Sequence, residues 1–192
     1  MRDAKSDLAR QVYKTYKSRI CAAERLKATD SFIRGLNIYY SLVLTTLTIY
    51  ALIDETSQHL SVILIILSVM LTVSITFLSS KRYGERAKDL KNHYILLGQL
   101  EQEIQASNDD KDLCKFREKY TVLLNSSENH TEYDYYSAMS NMKDKKEWID
   151  LSPSQKILDY YVYRIVYFIL KVLAIVVPFL IRYLTCIIEW VI

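Results

Sequence analysis

Two stretches of this chain carry no charge: residues 35–53, nineteen positions, and residues 60–80, twenty-one positions. A helix of either length can cross a hydrocarbon core of roughly 30 Å. Six polar residues, Asp54-Glu55-Thr56-Ser57-Gln58-His59, separate the two runs and suit a tight hairpin. The first 34 residues hold nine Lys/Arg against four Asp/Glu, and Lys81, Arg82, Arg86, Lys88 and Lys91 follow the second run directly. The intervening loop has two acids and no base. Basic flanks stay in the cytoplasm, so the sequence predicts a membrane hairpin with both flanks inside and the loop outside. The first apolar run begins only after 34 charged, helix-like residues, which does not fit a signal peptide.

The averages conceal this pattern. Over 192 residues the chain is 51% hydrophobic and 24% charged with a net charge of +3, values typical of a soluble domain. Its net charge is +5 before the hairpin, −2 in the loop, −2 over 81–159 and +2 in the tail. Three glycines and two prolines are too few for the turns of a β-rich fold and point to long helices. Gly35, Gly84 and Gly98 stand alone, so no glycine-rich phosphate loop is present. Cys21, Cys114 and Cys186 form neither a disulfide framework nor a zinc pair, and His59, His93 and His130 are too scattered for a metal site. The expectation is no catalytic residue, no metal and no cofactor.

Four segments follow: 1–34, an amphipathic cytoplasmic helix; 35–80, the transmembrane hairpin; 81–150, a cytoplasmic helical region; and 151–192, an apolar C-terminal helix, inserted or re-entrant. In the first, Leu8, Val12, Tyr16, Ile20, Ala23 and Leu26 step along one side among bases, a pattern for packing on other helices or lying on headgroups. After the hairpin the second helix is expected to continue into the cytoplasm. There Tyr83, Leu90, Leu97 and Ile104 repeat every seven residues with Ala87 and Tyr94 between them, a candidate oligomerisation seam. A polar stretch at 106–110 breaks it. Leu113, Phe116, Tyr120 and Leu123 mark a short amphipathic helix ended by Asn125-Ser126-Ser127, and Thr131-x-x-Asp134 starts another that runs to about Trp148. Ser152-Pro153-Ser154-Gln155 has the capping chemistry of a last helix start. In that helix Arg164, Lys171, Arg182 and Glu189 fall within about 20° of one another at 100° per residue, a single stripe. The stripe suits a membrane segment facing protein or water, or a helix lying in the interface.

Small polar residues mark one face of each span. Asn37, Ser41, Thr45 and Thr48 share about 80° of the first helix, and Ser61, Ser68, Thr72 and Ser79 about 40° of the second. Such faces pack helices closely, or line a water-filled path in an oligomer. Glu128, Asn129, His130 and Asp134 are the one place where histidine meets carboxylates and an amide, either as an acid–base pair or as helix-capping and cross-helix hydrogen bonds. Sixteen tyrosines suit membrane interfaces and bundle packing. Residues 81–159, at −2, argue against direct nucleic-acid binding.

An N-terminal amphipathic helix with Arg25 and Arg34, a compact two-span hairpin, and Lys81-Arg82-Tyr83 opening a cytoplasmic helix resemble the SLATT domain over about residues 5–150. The run Glu128-Asn129-His130-Thr131-Glu132-Tyr133-Asp134-Tyr135 is similar to an Asn-His…Asp-Tyr element of that family. The resemblance implies a non-enzymatic effector of bacterial antiphage immunity in the inner membrane. It would permeabilise the membrane and kill or arrest the cell when a partner sensor, such as a nucleotidyltransferase or reverse transcriptase, is triggered. The reading is an all-α membrane protein: a transmembrane hairpin, a cytoplasmic helical bundle and a hydrophobic C-terminal helix, in contact with the bilayer and with copies of itself. The alternative is a membrane anchor whose cytoplasmic helices recruit a soluble partner.

Overall fold

A computed structural model describes residues 4–53, 58–107, 112–140 and 154–191. These form helices α1 (Ala4–Ile53), α2 (Gln58–Ser80), α3 (Tyr83–Ala106), α4 (Leu113–Asn125), α5 (Glu132–Ser140) and α6 (Ser154–Val191), and the described residues contain no strand. The protein is all-α. Two helices, α1 and α2, contain segments long and apolar enough to cross a membrane. Those segments are scarcely covered by protein, unlike the core helix of a soluble domain. The inter-span loop, the end of the 106–110 breaker, the run toward Trp148 and the Ser152-Pro153 cap include residues outside the described ones.

The chain divides into two compact units, Met1–Thr29 with Tyr83–Tyr160, and Asp30–Arg82 with Tyr161–Ile192. In the first unit the N-terminal stripe of α1 packs along α3. Leu8 and Val12 meet Leu97, Leu100 and Ile104 of α3 and Phe116 of α4, with Leu113, Tyr120 and Leu123 at the edge. Further along, Ala22, Ala23 and Leu26 meet Ala87 and Leu90, flanked by Tyr83 and Tyr94. Rising numbers on α1 meet falling numbers on α3, so the two run antiparallel. Gly98 makes room between them: a Cβ there would lie 3.2 Å from Cε2 of Tyr16. Of the two sequence readings for this stripe, packing on other helices is the one observed.

The second helix does not continue past the hairpin as expected. It ends at Ser80, where Lys81 N–H donates to Leu78 O (3.2 Å) and Arg82 N–H to Ser79 O (3.1 Å). Arg82 takes a left-handed φ of 49°, which no helix can carry forward, and α3 starts afresh at Tyr83. In the second unit Leu64 is buried while Val62, Ile66, Val69, Val73 and Phe77 are exposed, the outward apolar surface of a helix solvated by lipid.

Adjacent leucines test the first core. Leu97 is fully buried and Leu96 is 44% exposed. Leu97→Ala is expected to cost about 2–5 kcal/mol and Leu96→Ala about 1 kcal/mol or less, measured by denaturant unfolding in detergent.

Candidate functional site

The first unit carries a polar corner around the start of α5. Thr131 and Asp134 form a reciprocal cap: Thr131 N–H and its hydroxyl donate to Asp134 Oδ2 at 3.0 and 2.7 Å, and Asp134 N–H donates to Thr131 Oγ1 at 3.3 Å. Asp134 is completely buried. Its carboxylate is paired from α1 by Arg25, Nε to Oδ1 at 2.7 Å and Nη2 to Oδ2 at 2.9 Å. Burial alone would raise the Asp134 pKa; the hydrogen bonds from Arg25 and Thr131 outweigh it and hold the carboxyl below its ordinary value. Nearby, Arg86 grips Glu128 with two exposed bonds of 2.8 and 3.2 Å.

Arg19 is a buried cation, with no exposed surface. Its guanidinium donates to Leu123 O at 3.1 Å and Leu124 O at 3.3 Å, last-turn carbonyls of α4 that lack intrahelical donors. A cation there also meets the negative end of the helix dipole. Burial lowers its pKa and Tyr120 opposes that shift. Beside it, Thr15 Oγ1 and Tyr120 Oη lie 2.7 Å apart. Sequence reasoning missed Arg19, although Val12, Thr15, Arg19, Ala22 and Leu26 follow the three-and-four spacing of a buried face.

The structure does not bring His130 and Asp134 together as an acid–base pair, because Arg25 and Thr131 occupy the carboxylate. Instead His130 stacks on Tyr135, centroids 6.4 Å apart, and its buried Nδ1 has no hydrogen-bond partner. Burial lowers the His130 pKa; Asp134 opposes this and Arg19 adds to it. Asn129 accepts from His130 N–H through Oδ1 at 3.0 Å. Of the capping and cross-helix bonds expected of His130 and Asp134, Asp134 makes both kinds and the buried His130 Nδ1 makes neither. No three metal-ligating side chains gather among the described residues.

The seam of α3 is occupied within the chain. Ala87, Leu90, Leu97 and Ile104 are buried in contact with α1 or in the cluster it shares with α4, and Tyr83 and Tyr94 flank them. A second copy would need another surface.

The hydroxyl faces of the hairpin are exposed. Ser41, Thr45, Thr48, Ser68, Thr72 and Ser79 are exposed. Thr45, Thr48 and Thr72 donate to the carbonyl four residues back at 2.8–2.9 Å, and Ser68 to Ile65 O at 2.8 Å. Ser41 donates to Asn37 Oδ1 at 3.4 Å. These hydroxyls therefore do not join α1 to α2. A cavity of about 320 Å³ in this unit is lined instead by apolar side chains such as Leu36, Val43, Leu47, Leu67 and Leu71, with Asn37, Tyr40 and Ser74 as its polar members. Of the C-terminal stripe, Arg164 is exposed and Lys171 Nζ sits 4.9 Å from the Phe32 ring and 4.4 Å from that of Tyr167. The side chains of Ser61, Arg182 and Glu189 lie outside the described residues.

The sequence matches the family described as SMODS and SLOG-associating 2TM effector domain family 5 over residues 1–184. The chain belongs to this SLATT family. A match of that extent takes in the α1–α2 hairpin, the polar corner and most of α6. The SLATT description names an effector domain with two transmembrane segments that associates with SMODS and SLOG systems, and it does not name an enzyme. No curated protein and no solved structure matches the chain.

The Arg25–Asp134 pair gives an asymmetric prediction. Arg25→Ala strands a fully buried carboxylate and is expected to cost about 3–5 kcal/mol. Asp134→Asn leaves a partly exposed guanidinium and is expected to cost about 1–3 kcal/mol. Urea unfolding in detergent at neutral pH measures both. Since the folded pKa of Asp134 is depressed, the wild-type advantage over Asp134→Asn is present above the unfolded carboxylate value of ~3.9. It is lost as pH falls through the folded value.

Proposed function

We propose that this SLATT protein is a non-enzymatic membrane effector of bacterial immunity. On activation by a partner sensor it assembles copies of its hairpin and permeabilises the inner membrane, stopping growth of the infected cell. One observation carries the reading: each span has a face of small hydroxyl residues that is exposed and takes no part in joining α1 to α2. In an oligomer such faces pack copies together or solvate a lumen, and with no charge among them they select weakly between ions. The charge pattern supports an orientation with residues 1–34 and 81–150 in the cytoplasm and the Asp54–Glu55 loop outside.

The apolar stripe of α1 is already covered by α3 and α4, which supports a resting state held by the cytoplasmic helices. A sensor product or partner shifts that state only by binding the active arrangement better than the resting one. The association of the family with SMODS and SLOG systems supports a nucleotide-linked sensor upstream.

Thr45→Leu and Thr72→Leu test the function. Each adds apolar bulk to a hydroxyl face without touching the polar corner. With the activating partner co-expressed, the native chain is expected to collapse the membrane potential, read by a voltage-sensitive dye. Either variant is expected to keep its oligomer, judged by cross-linking, and lose most of the depolarisation. A native chain that, once activated, leaves potential and growth unchanged would refute permeabilisation. Depolarisation preserved in both variants would refute a hydroxyl-lined path.

A further inference from the structure

Pro178 stands inside α6, a 38-residue helix. Proline has no N–H, so the carbonyl four residues back, that of Ala174, loses its intrahelical donor. In hydrocarbon such a group costs several kcal/mol unless another donor replaces it. Tyr40 of α1 replaces it: its hydroxyl donates to Ala174 O at 2.7 Å, and that of neighbouring Tyr39 donates to Ile175 O at 3.0 Å. Tyr40 lies within the first uncharged run, five residues past its start at Gly35. The missing donor is thus supplied from within the first span itself.

The Tyr40–Ala174 bond sets the register, and a contact one level earlier sets the direction. Tyr39 and Tyr40 meet residues 136 and 134 positions further along the chain. Earlier on α1, Phe32 meets Lys171, which precedes Ala174 on α6. From Phe32 to Tyr40 on α1 the partner advances from Lys171 to Ala174, so α6 runs in the same direction as α1. At the Tyr40–Ala174 offset, the span 35–53 comes level with 169–187, a run of nineteen residues with two charges, Lys171 and Arg182. From Tyr40 the first span has thirteen residues left, about 20 Å; from Ala174 α6 has seventeen, about 25 Å. The helix is long enough to reach the level of Ile53.

Lys171 fits the same register. It falls two positions inside the edge, and its ammonium is held over Phe32, which precedes the span, and Tyr167, one turn back. Both contacts draw the charge toward the edge at which α1 enters, as a snorkelling lysine does. A helix lying flat in the interface would have no reason to follow a spanning helix inward past that edge.

We propose that α6 is a third membrane crossing of this two-span-family protein, running parallel to the first span and fixed to it by the tyrosine hydroxyl that replaces the donor Pro178 removes. Its end at Val191 then emerges on the side of the α1–α2 loop. The inference rests on α1 spanning the membrane and not on permeabilisation.

Cysteine labelling in cells without the activating partner tests it. Glu189→Cys and Ser57→Cys are made separately in a chain whose Cys21, Cys114 and Cys186 are replaced by Ala, with a chain retaining only Cys114 as the opposite-side control. A bulky, membrane-impermeant maleimide is expected to label Glu189→Cys and Ser57→Cys in intact spheroplasts, and Cys114 only after permeabilisation. If Glu189→Cys is labelled with Cys114 and not with Ser57→Cys, the third crossing is wrong. Val191→Cys in the same background, labelled in intact spheroplasts, repeats the comparison should Glu189→Cys fail to accumulate. The bond itself is tested by a cycle. Tyr40→Phe is expected to lower Tm of the purified full chain by about 2–6 °C. In a Pro178→Ala background, where a backbone N–H returns, it is expected to lower Tm by less than half as much. Equal shifts in both backgrounds would show that Tyr40 does not replace the missing donor.

Discussion

Hydrocarbon accepts neither a free charge nor a backbone carbonyl without a donor, and the second unit of this protein is arranged around that refusal. Its two spans are uncharged. Their threonines turn hydroxyls back onto the carbonyls of their own helices, which satisfies each donor without a neighbour. The one helix that breaks its own ladder, at Pro178, does so where Tyr40 can close the gap. Lys171 enters the register of the span only by two positions and folds over two aromatic rings. At Pro178 and Lys171 the departure from an apolar, self-bonded helix is met by a named side chain.

The first unit solves the opposite problem, keeping charges in place where protein covers them. Arg25 and Arg19 reach out from α1 to different targets, a carboxylate and a pair of carbonyls, and each target lies at a helix terminus. The start of α5 and the end of α4 are therefore both fastened to the same N-terminal helix. The Asp134 carboxylate is bonded by Arg25 and Thr131 and not by His130. Its geometry fits fastening of helices. An activating signal that separates α1 from α3 and α4 would have to release both fastenings and uncover Leu97 and Ile104.

Much of this was legible in the residues. Charge exclusion over 35–53 and 60–80 marked the spans, and the Leu8–Leu26 stripe marked the face of α1 that packs. Thr131 and Asp134, three apart before an apolar run, marked the cap of α5. What could not be read was pairing across the chain. The heptad of α3 looks the same whether its partner is another copy or α1, since apolar periodicity states that a face is covered and not by what. Arg19 falls at the three-and-four spacing of the buried face, but no spacing in this basic helix singles out Arg25 as the partner of Asp134. The break at Arg82 carried no signal either, because the left-handed residue is an arginine and not a glycine. The arithmetic linking Pro178 to Ala174 was available, but the donor lies 134 positions away and no spacing points to it.

The central claim is that the hydroxyl faces of the hairpin meet water or one another in the active assembly, and that its exposed apolar side chains meet lipid. Cysteine accessibility along α1 measures this most directly. Single cysteines at Ser41, Thr45 and Thr48 are compared with cysteines at Leu42 and Ile49, which are exposed about 40–60° beyond Thr45 around the same helix. Reaction with a small, water-soluble maleimide is followed in cells before and after activation. The account predicts that the three hydroxyl-face positions become reactive, or cross-link between copies, on activation while Leu42 and Ile49 stay inert. Reaction at Leu42 and Ile49 with silence at the hydroxyl face, or no change at any position in activated cells, would contradict it.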